Sequence, residues 1–264
     1  MRRSDVAWQD APDQLPWLTP TVVHVWAVRL DSPPAHIDAL SGTLSADERE
    51  RAGRFHFDRD RRRYICARGA LRQLLSRYLD AAPEEFRFSY GPNGKPSLAG
   101  RFDGALTFNV SHSDELALIA IGRDIELGVD VEAVRPLDDA DGIASRFFAP
   151  RENERLRSLP DEVRTDAFFA CWTRKEAYLK ALGSGLAKPL DAFEVTFAPD
   201  QAASLLVYGD DRETARWKVR ELTPGAGYTG ALVTEGRAGT RCWRFMPAAA
   251  ARSARIDVNA VEAV

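Results

Sequence analysis

The chain has 264 residues, 45% hydrophobic and 28% charged, with a net charge of −3 at neutral pH. That length buries a sizeable core as one large domain or two modest ones, and the slight acidity argues against a nucleic-acid or membrane-surface protein held by a global basic field. Cys66, Cys171 and Cys242 are far apart, with no CxxC or Cys/His cluster, so neither a zinc site nor a disulfide framework is indicated.

The opening MRRSDVAWQD lacks the apolar run of a signal peptide, and no stretch approaches a membrane span. The expectation is a cytoplasmic protein. Residues 1–20 carry three prolines and little pattern, and read as a lead-in. Residues 22–30, VVHVWAVRL, alternate and are β-rich, which predicts a strand. His24 and His36 stand alone and read as structural or surface groups.

Ser45-Ala46-Asp47-Glu48 is a capping box that opens a helix. From Arg49 to Arg72 nine arginines (49, 51, 54, 59, 61, 62, 63, 68 and 72) stand against three acids. A solvated helical face is the plain reading of such a run. Phe55, Phe57, Tyr64, Ile65, Leu71, Leu74 and Leu75 are interspersed, so one side should pack while the other presents guanidinium groups. Those groups repel unless an anion is near, and the planar fork of arginine suits phosphate. A phosphate-rich small molecule and nucleic acid both remain open at this point.

Residues 86–90, FRFSY, predict a short strand. GPNGKPS at 91–97 then makes a Pro/Gly turn that lacks the GxxxxGK[ST] spacing of a phosphate loop and holds out Lys95. FNVSHS at 108–113 ends a strand at a loop. Ser111 and His112 are adjacent and point to opposite sides, so they cannot pair as nucleophile and base; with no GxSxG, a serine hydrolase is disfavoured. LALIAI at 116–121 reads as a buried strand.

IELGVDV at 125–131, followed by Glu132, is the second most informative stretch. On a strand Gly128, Asp130 and Glu132 share one face, while Leu127, Val129 and Val131 share the other. Two carboxylates about 7 Å apart can converge on one hard cation, and Gly128 leaves open space for a ligand beside them. Acids on a solvent-facing edge strand are the plain alternative.

Residues 146–165 are polar and helical, punctuated by Pro150 and Pro160. The chain is organised around residues 166–186, DAFFACWTRKEAYLKALGSGL, a helix closed by Gly183 and Gly185. It is apolar on most sides, so it should be buried, and the charges of its Thr173-Arg174-Lys175-Glu176 island must be paired or held on a metal. Glu176 and Lys180 share a face: either an ordinary i,i+4 pair or a carboxylate and an ammonium aimed into a pocket. Glu176 with Asp130 and Glu132 makes three oxygen donors, and magnesium takes few protein carboxylates plus waters and substrate phosphates. Strands follow at 193–197, 217–220 and 228–234, so two related α+β halves meet near residue 124. The alanine-rich tail after Met246 should fray.

GVDVE at 128–132 and WTRKEAYLKALGSGL at 172–186, in this order and separation, resemble the paired signatures of 4′-phosphopantetheinyl transferases. The arginine-rich helix, GKP at 94–96 and FNVSHS at 108–113 resemble the two-domain, Sfp-type members, so the likeness covers about residues 45–186 by motif. Valines flank Asp130 where the family commonly has isoleucines, which leaves the carboxylate geometry intact.

The resemblance implies an α+β fold of two similar pseudo-symmetric halves, each a small antiparallel sheet packed with helices, with the active site in the cleft between them. The division is a lead-in at 1–20, an N-terminal half at 21–124, a C-terminal half at 125–247 and a flexible tail at 248–264. It implies that Asp130, Glu132 and Glu176 hold Mg²⁺ against the pyrophosphate of coenzyme A. Lys180 would stabilise charge on the departing 3′,5′-ADP. Lys95, Ser111 and His112 would contact the phosphates and nucleoside of the coenzyme, with Arg51 and Arg68 on the same anion. The acceptor is a serine hydroxyl on an apo acyl- or peptidyl-carrier protein, activated by Glu176 directly or through water. A monomer without nucleic-acid or membrane partners is expected. A Mg²⁺-dependent nucleotide or coenzyme A hydrolase could use the same acids, and a nucleic-acid-binding module built on residues 49–72 is the non-enzymatic alternative.

Overall fold

The computed structural model describes residues 7–183, 185, 188–199 and 201–247; the predicted tail at 248–264 lies outside them. The chain runs through β1 (Trp8–Asp10) and β2 (Val22–Arg29) into three helices, α1 (Pro34–Ser41), α2 (Ala46–Gly53) and α3 (Asp58–Leu79). A hairpin of β3 (Arg87–Tyr90) and β4 (Pro96–Ala99) leads to β5 (Thr107–Ser113) and β6 (Leu116–Gly122). The order then repeats. β7 (Leu127–Ala133) is followed by α4 (Ala140–Phe147), α5 (Pro150–Arg157) and α6 (Asp161–Leu182), and by a hairpin of β8 (Phe193–Val195) and β9 (Leu205–Val207). After α7 (Asp211–Arg216) come β10 (Trp217–Leu222), β11 (Tyr228–Glu235) and β12 (Gly239–Arg244).

The correspondence extends to the pairing. Strands β2-β6-β5 form an antiparallel set in the first half and β7-β11-β10 its counterpart in the second. Each set carries one 22-residue helix, α3 or α6. This is the α+β arrangement of two similar halves that the sequence implies.

Two strands depart from it. β12 lies in the first sheet between β1 and β2, parallel to both, so the end of the described chain completes the first half. Residues 8–10, within the stretch read as a lead-in, thus have a partner more than two hundred residues away. GTRCWR gives little warning of this, because arginines and a threonine flank its two buried residues, Cys242 and Trp243.

Alternation sorts the strands into layers. Trp26 and Val28 of β2 and Ile119 and Ile121 of β6 face Leu71, Leu74 and Leu75 of α3. On the other side Val23, Val25, Leu118 and Ala120 pack on Leu127, Val129 and Val131 of β7 and Leu232 of β11. The far face of the second sheet, Ala231 and Val233, meets α6. The order is therefore helix, sheet, sheet, helix. β6 is covered on both sides, which is why LALIAI is an unbroken apolar run. His24 fits its structural reading: it is fully buried, with Nδ1 2.8 Å from the Tyr78 hydroxyl.

α6 is anchored by three devices. Lys175 is fully buried and satisfied in every direction: Nζ lies 2.7 Å from Glu152 Oε2 and donates to the carbonyls of Leu190 and Phe193 at 2.7 Å each. Arg174 donates to Glu221 at 2.8 Å and to the Thr196 carbonyl. These contacts supply the pairing that burial of the polar island demands.

The third device is Gly128. A Cβ there would fall 2.2 Å from the Ala177 carbonyl oxygen and 2.3 Å from the Ala181 nitrogen. Its missing side chain therefore admits the α6 backbone, a correction to the expectation of open space for a ligand. Among the described residues no helix is long and apolar enough to cross a membrane.

Two outcomes follow for stability. Gly128→Ala should lower the urea midpoint by the equivalent of about 1–3 kcal/mol, because the clash is with backbone that cannot rotate away. Lys175→Met should cost about 3–5 kcal/mol by leaving Glu152 buried without its cation. Adding Glu152→Gln should recover part of that loss, measured by the same denaturation curves.

Candidate active site

β7 is the strand on which the site is built. Its Leu127, Val129 and Val131 face is held in the core between the sheets, which forces Asp130 and Glu132 toward α6. Pairing with β11 fixes the register, Asp130 opposite Ala231 and Glu132 opposite Thr229.

On the side toward the first half, β7 meets β5 through side chains. Asn109 Oδ1 accepts from the Val129 N–H at 2.8 Å, Ser111 Oγ donates to Asp130 Oδ1 at 2.7 Å, and Ser113 Oγ donates to Glu132 Oε2 at 2.7 Å. These residues are spaced by two, so they lie on one face of β5 and march along β7 in step with it. The ladder joins the halves and orients both strand carboxylates.

Asp130 is only 3% exposed. Besides Ser111 it receives Lys180, whose Nζ is 2.6 Å from Oδ1 and also donates to Ser111 Oγ at 2.8 Å. Thus β5, β7 and α6 converge on one carboxylate oxygen. Among the described residues Lys180 makes no ion pair with Glu176; of the two readings of that i,i+4 spacing, the pocket-directed one fits Lys180.

The remaining acids are short of compensation. Burial, opposed by the Ser113 hydrogen bond and reinforced by the Asp130 charge, holds the Glu132 carboxyl above its usual range. Burial and then the Asp130 charge raise Glu176, with Lys180 pulling the other way and Glu132 adding to the rise.

The second oxygen of Asp130, Oδ2, is buried with no hydrogen-bond partner among the described residues. A lone buried carboxylate oxygen suits a hard divalent cation such as Mg²⁺, which takes one or two protein carboxylates and completes its shell with water and phosphate. Among the described residues, however, the three acids do not stand together as a ready-made ion cage. The Lys180 ammonium, seated on Asp130 Oδ1, already meets part of the charge.

The other predicted residues fall into two groups. His112 points away from Ser111 on β5, yet it is near enough to feel the site: crowding by protein, then the Lys180 and Arg63 charges, lowers its pKa, while Asp130 raises it. Lys95 is elsewhere. Rather than standing out from its turn, it folds back to Glu126 at 3.1 Å and to the carbonyls of Leu127 at 3.3 Å and Ala181 at 3.0 Å. Unpaired carbonyls at a helix C-terminus attract a cation, and Asn93 caps the same end through the Gly183 carbonyl at 3.0 Å.

Arg68 is engaged by Glu48 and stacks 3.9 Å over the Phe88 ring. Arg51 lies over Tyr64 beside a surface hollow of about 530 Å³ with Asp47, Glu50 and Arg54. No described contact joins Lys95, Arg51 or Arg68 to the Asp130 group.

The anions expected to relieve the arginine run are in large part internal. Glu48, whose carboxylate also takes the Ser45 N–H at 3.1 Å, is chelated by Arg72 at 2.6 and 3.0 Å. Burial raises the Glu48 carboxyl, but Arg72 and Arg68 outweigh it, so its pKa is low. Asp58 pairs with Arg61 and Arg62, and Glu50 with Arg54.

Arg63 is gripped by both oxygens of Asp31, at 3.0 and 3.2 Å, and lies 2.9 Å from Asp114. Asn109 and Ser113, which hydrogen-bond to β7, and Arg63, whose charge reaches His112, are neighbours of the site that sequence reasoning missed. For the first two the alternation N-x-S-x-S was a usable signal; for Arg63 nothing separated it from its eight neighbours.

Comparison with known proteins bears on this geometry. Residues 126–233 match the 4′-phosphopantetheinyl transferase superfamily, and residues 32–123 match the family described as 4′-phosphopantetheinyl transferase, N-terminal. The chain is 42% identical to the 4′-phosphopantetheinyl transferase HetI of Nostoc sp., over 87% of this chain and 94% of that one. It is 37% identical to a putative 4′-phosphopantetheinyl transferase of Synechocystis sp., over 74% and 77% of the two chains. With the 4′-phosphopantetheinyl transferase Sfp of Bacillus subtilis it shares 31% identity over 76% and 88%.

Proposed function

The chain belongs to the 4′-phosphopantetheinyl transferase superfamily, and on that premise we propose that it moves the 4′-phosphopantetheine group of coenzyme A to a serine hydroxyl of an apo acyl- or peptidyl-carrier protein. The observation that carries this reading is the convergence of β5, β7 and α6 on the Asp130 carboxylate, with Lys180, Glu132 and Glu176 around it.

Asp130, Glu132 and Glu176 are the residues that would hold Mg²⁺. When bound, that ion supplies charge neutralisation to the pyrophosphate oxygens of coenzyme A. In the transfer, the serine oxygen bonds to the phosphorus that carries pantetheine, the bond from that phosphorus to the 3′,5′-ADP oxygen breaks, and the serine proton passes to Glu176 or to a water that Glu176 holds. The burial that raises the Glu176 carboxyl makes it a better proton acceptor than a solvated glutamate.

Lys180, whose side chain is 29% exposed, can swing its ammonium from Asp130 toward charge that builds on the leaving diphosphate. Ser111, which accepts from Lys180, and His112, the next residue of β5, would contact the phosphates. Lys95, Arg51 and Arg68 keep a place as outer contacts to the coenzyme, each needing to give up part of its present hydrogen bonding. The reaction needs positioning and neutralisation rather than an enzyme nucleophile, which agrees with a sequence that offers no GxSxG motif and no adjacent Ser–His pair able to act as nucleophile and base. The strands and helix that meet at Asp130 come from one chain, which supports a monomer as the proposed working unit, and the same reading places it in the cytoplasm.

Incubating the protein with coenzyme A, Mg²⁺ and an apo carrier should raise the intact mass of the carrier by one phosphopantetheine group, with 3′,5′-ADP formed only when carrier is present. Release of 3′,5′-ADP without carrier would point to a hydrolase instead. Asp130→Asn should abolish transfer while circular dichroism stays native; full activity would remove Asp130 from the site. Lys180→Ala should lower kcat by about 10²-fold or more with little change in the KM for coenzyme A, since it acts on charge that appears in the transition state.

A further inference from the structure

We infer that Ser113 is a positioning residue that sets how tightly the acidic row takes a divalent cation, by fixing the orientation of Glu132; this rests on the transferase reading above. Ser113 Oγ donates to Glu132 Oε2 at 2.7 Å and accepts from the backbone N–H of Ala133 at 3.1 Å. A serine hydroxyl has one proton. With the Ala133 N–H directed at an oxygen lone pair, the Oγ proton is aimed at the carboxylate, so the donor direction is set by main chain rather than by a free rotor. Holding Oε2 fixes the rotation of the carboxyl group, and Oε1 is then presented in one direction.

The arrangement is a counterpart of that at Asp130, where Lys180 occupies the Ser111 oxygen and Ser111 donates onward to Oδ1. Two serines spaced by two on β5 thus set two carboxylates spaced by two on β7. Behind the Ser113 hydroxyl stands a main-chain donor, where behind Ser111 stands Lys180, which the reaction itself needs.

The base of the relay is also fixed. Ser113 ends β5, and the next residue, Asp114, turns the chain with φ of 47° while its carboxylate lies 2.9 Å from Arg63. Arg63 in turn grips Asp31 with two hydrogen bonds, so the turn carrying Ser113 is fastened to α3 and to the end of β2. Outer hydrogen bonds of this kind to metal-binding carboxylates typically change metal affinity by about 10–100-fold when removed.

The test titrates Mn²⁺ into the full chain with coenzyme A present, reading bound ion by loss of the free Mn²⁺ resonance signal, and runs transfer against Mg²⁺ in parallel. Ser113→Ala should weaken Mn²⁺ binding about tenfold or more and raise the half-saturating Mg²⁺ by a similar factor, with kcat at saturating Mg²⁺ unchanged. Ser113→Thr, which keeps the hydroxyl, should restore both. Ser113→Cys keeps the volume but donates weakly, and should reproduce the metal defect with a native melting temperature even if the alanine variant folds poorly. Wild-type Mn²⁺ affinity in the alanine and cysteine variants overturns the proposal, as does a fall in kcat with unaltered metal dependence. If the unmodified protein itself binds no Mn²⁺ beside coenzyme A, the assignment of Asp130, Glu132 and Glu176 to a metal fails and the role of Ser113 falls with it, an outcome told apart because it appears before any substitution is made.

Discussion

The carboxylate of Asp130 is buried where the two halves meet, and a buried carboxylate is costly unless hydrogen bonds and opposite charge meet it. One oxygen is met twice, by Ser111 from the first half and by Lys180 from α6; the other has no hydrogen-bond partner among the described residues. That asymmetry ties the fold to the site. The half that compensates Asp130 must stay docked for the charge to be tolerated, and the oxygen left over is where a cation gains most.

The same rule governs the long helix of each half. α3 places Arg68 and Arg72 on the buried Glu48, and α6 places Lys175 on the buried Glu152. Both are internal pairs that hold a helix in place. What distinguishes α6 is that Lys180 answers an acid of β7 at the seam between the halves, with Glu176 on the same helix face. The pseudo-symmetric halves therefore share a framework while only one supplies the acidic row; the other contributes the strand of serines and histidine opposite it.

Local pattern made much of the architecture legible. Alternation in residues 22–30 and 125–132, the capping box at Ser45, and Gly183 in the left-handed conformation at the end of α6 all correspond to features of the folded chain. Boundaries were less legible. α6 begins at Asp161, directly after Pro160, so residues 161–165, read as the end of a separate polar helical stretch, are its first turn. β12 was not legible, since its partners are parallel and remote.

The sequence by itself determined which side chains share a face: Asp130 with Glu132 on a strand, Glu176 with Lys180 on a helix, Ser111 opposed to His112. Those are consequences of periods of 2 and 3.6 residues, which a chain carries locally. The tertiary structure alone decided which charges answer one another. Lys180 reaches Asp130 rather than Glu176, Lys95 turns back to a helix end, and Gly128 admits a helix backbone rather than a ligand. Each depends on a neighbour dozens of residues away, brought near only when burying the apolar faces of both sheets presses the halves together.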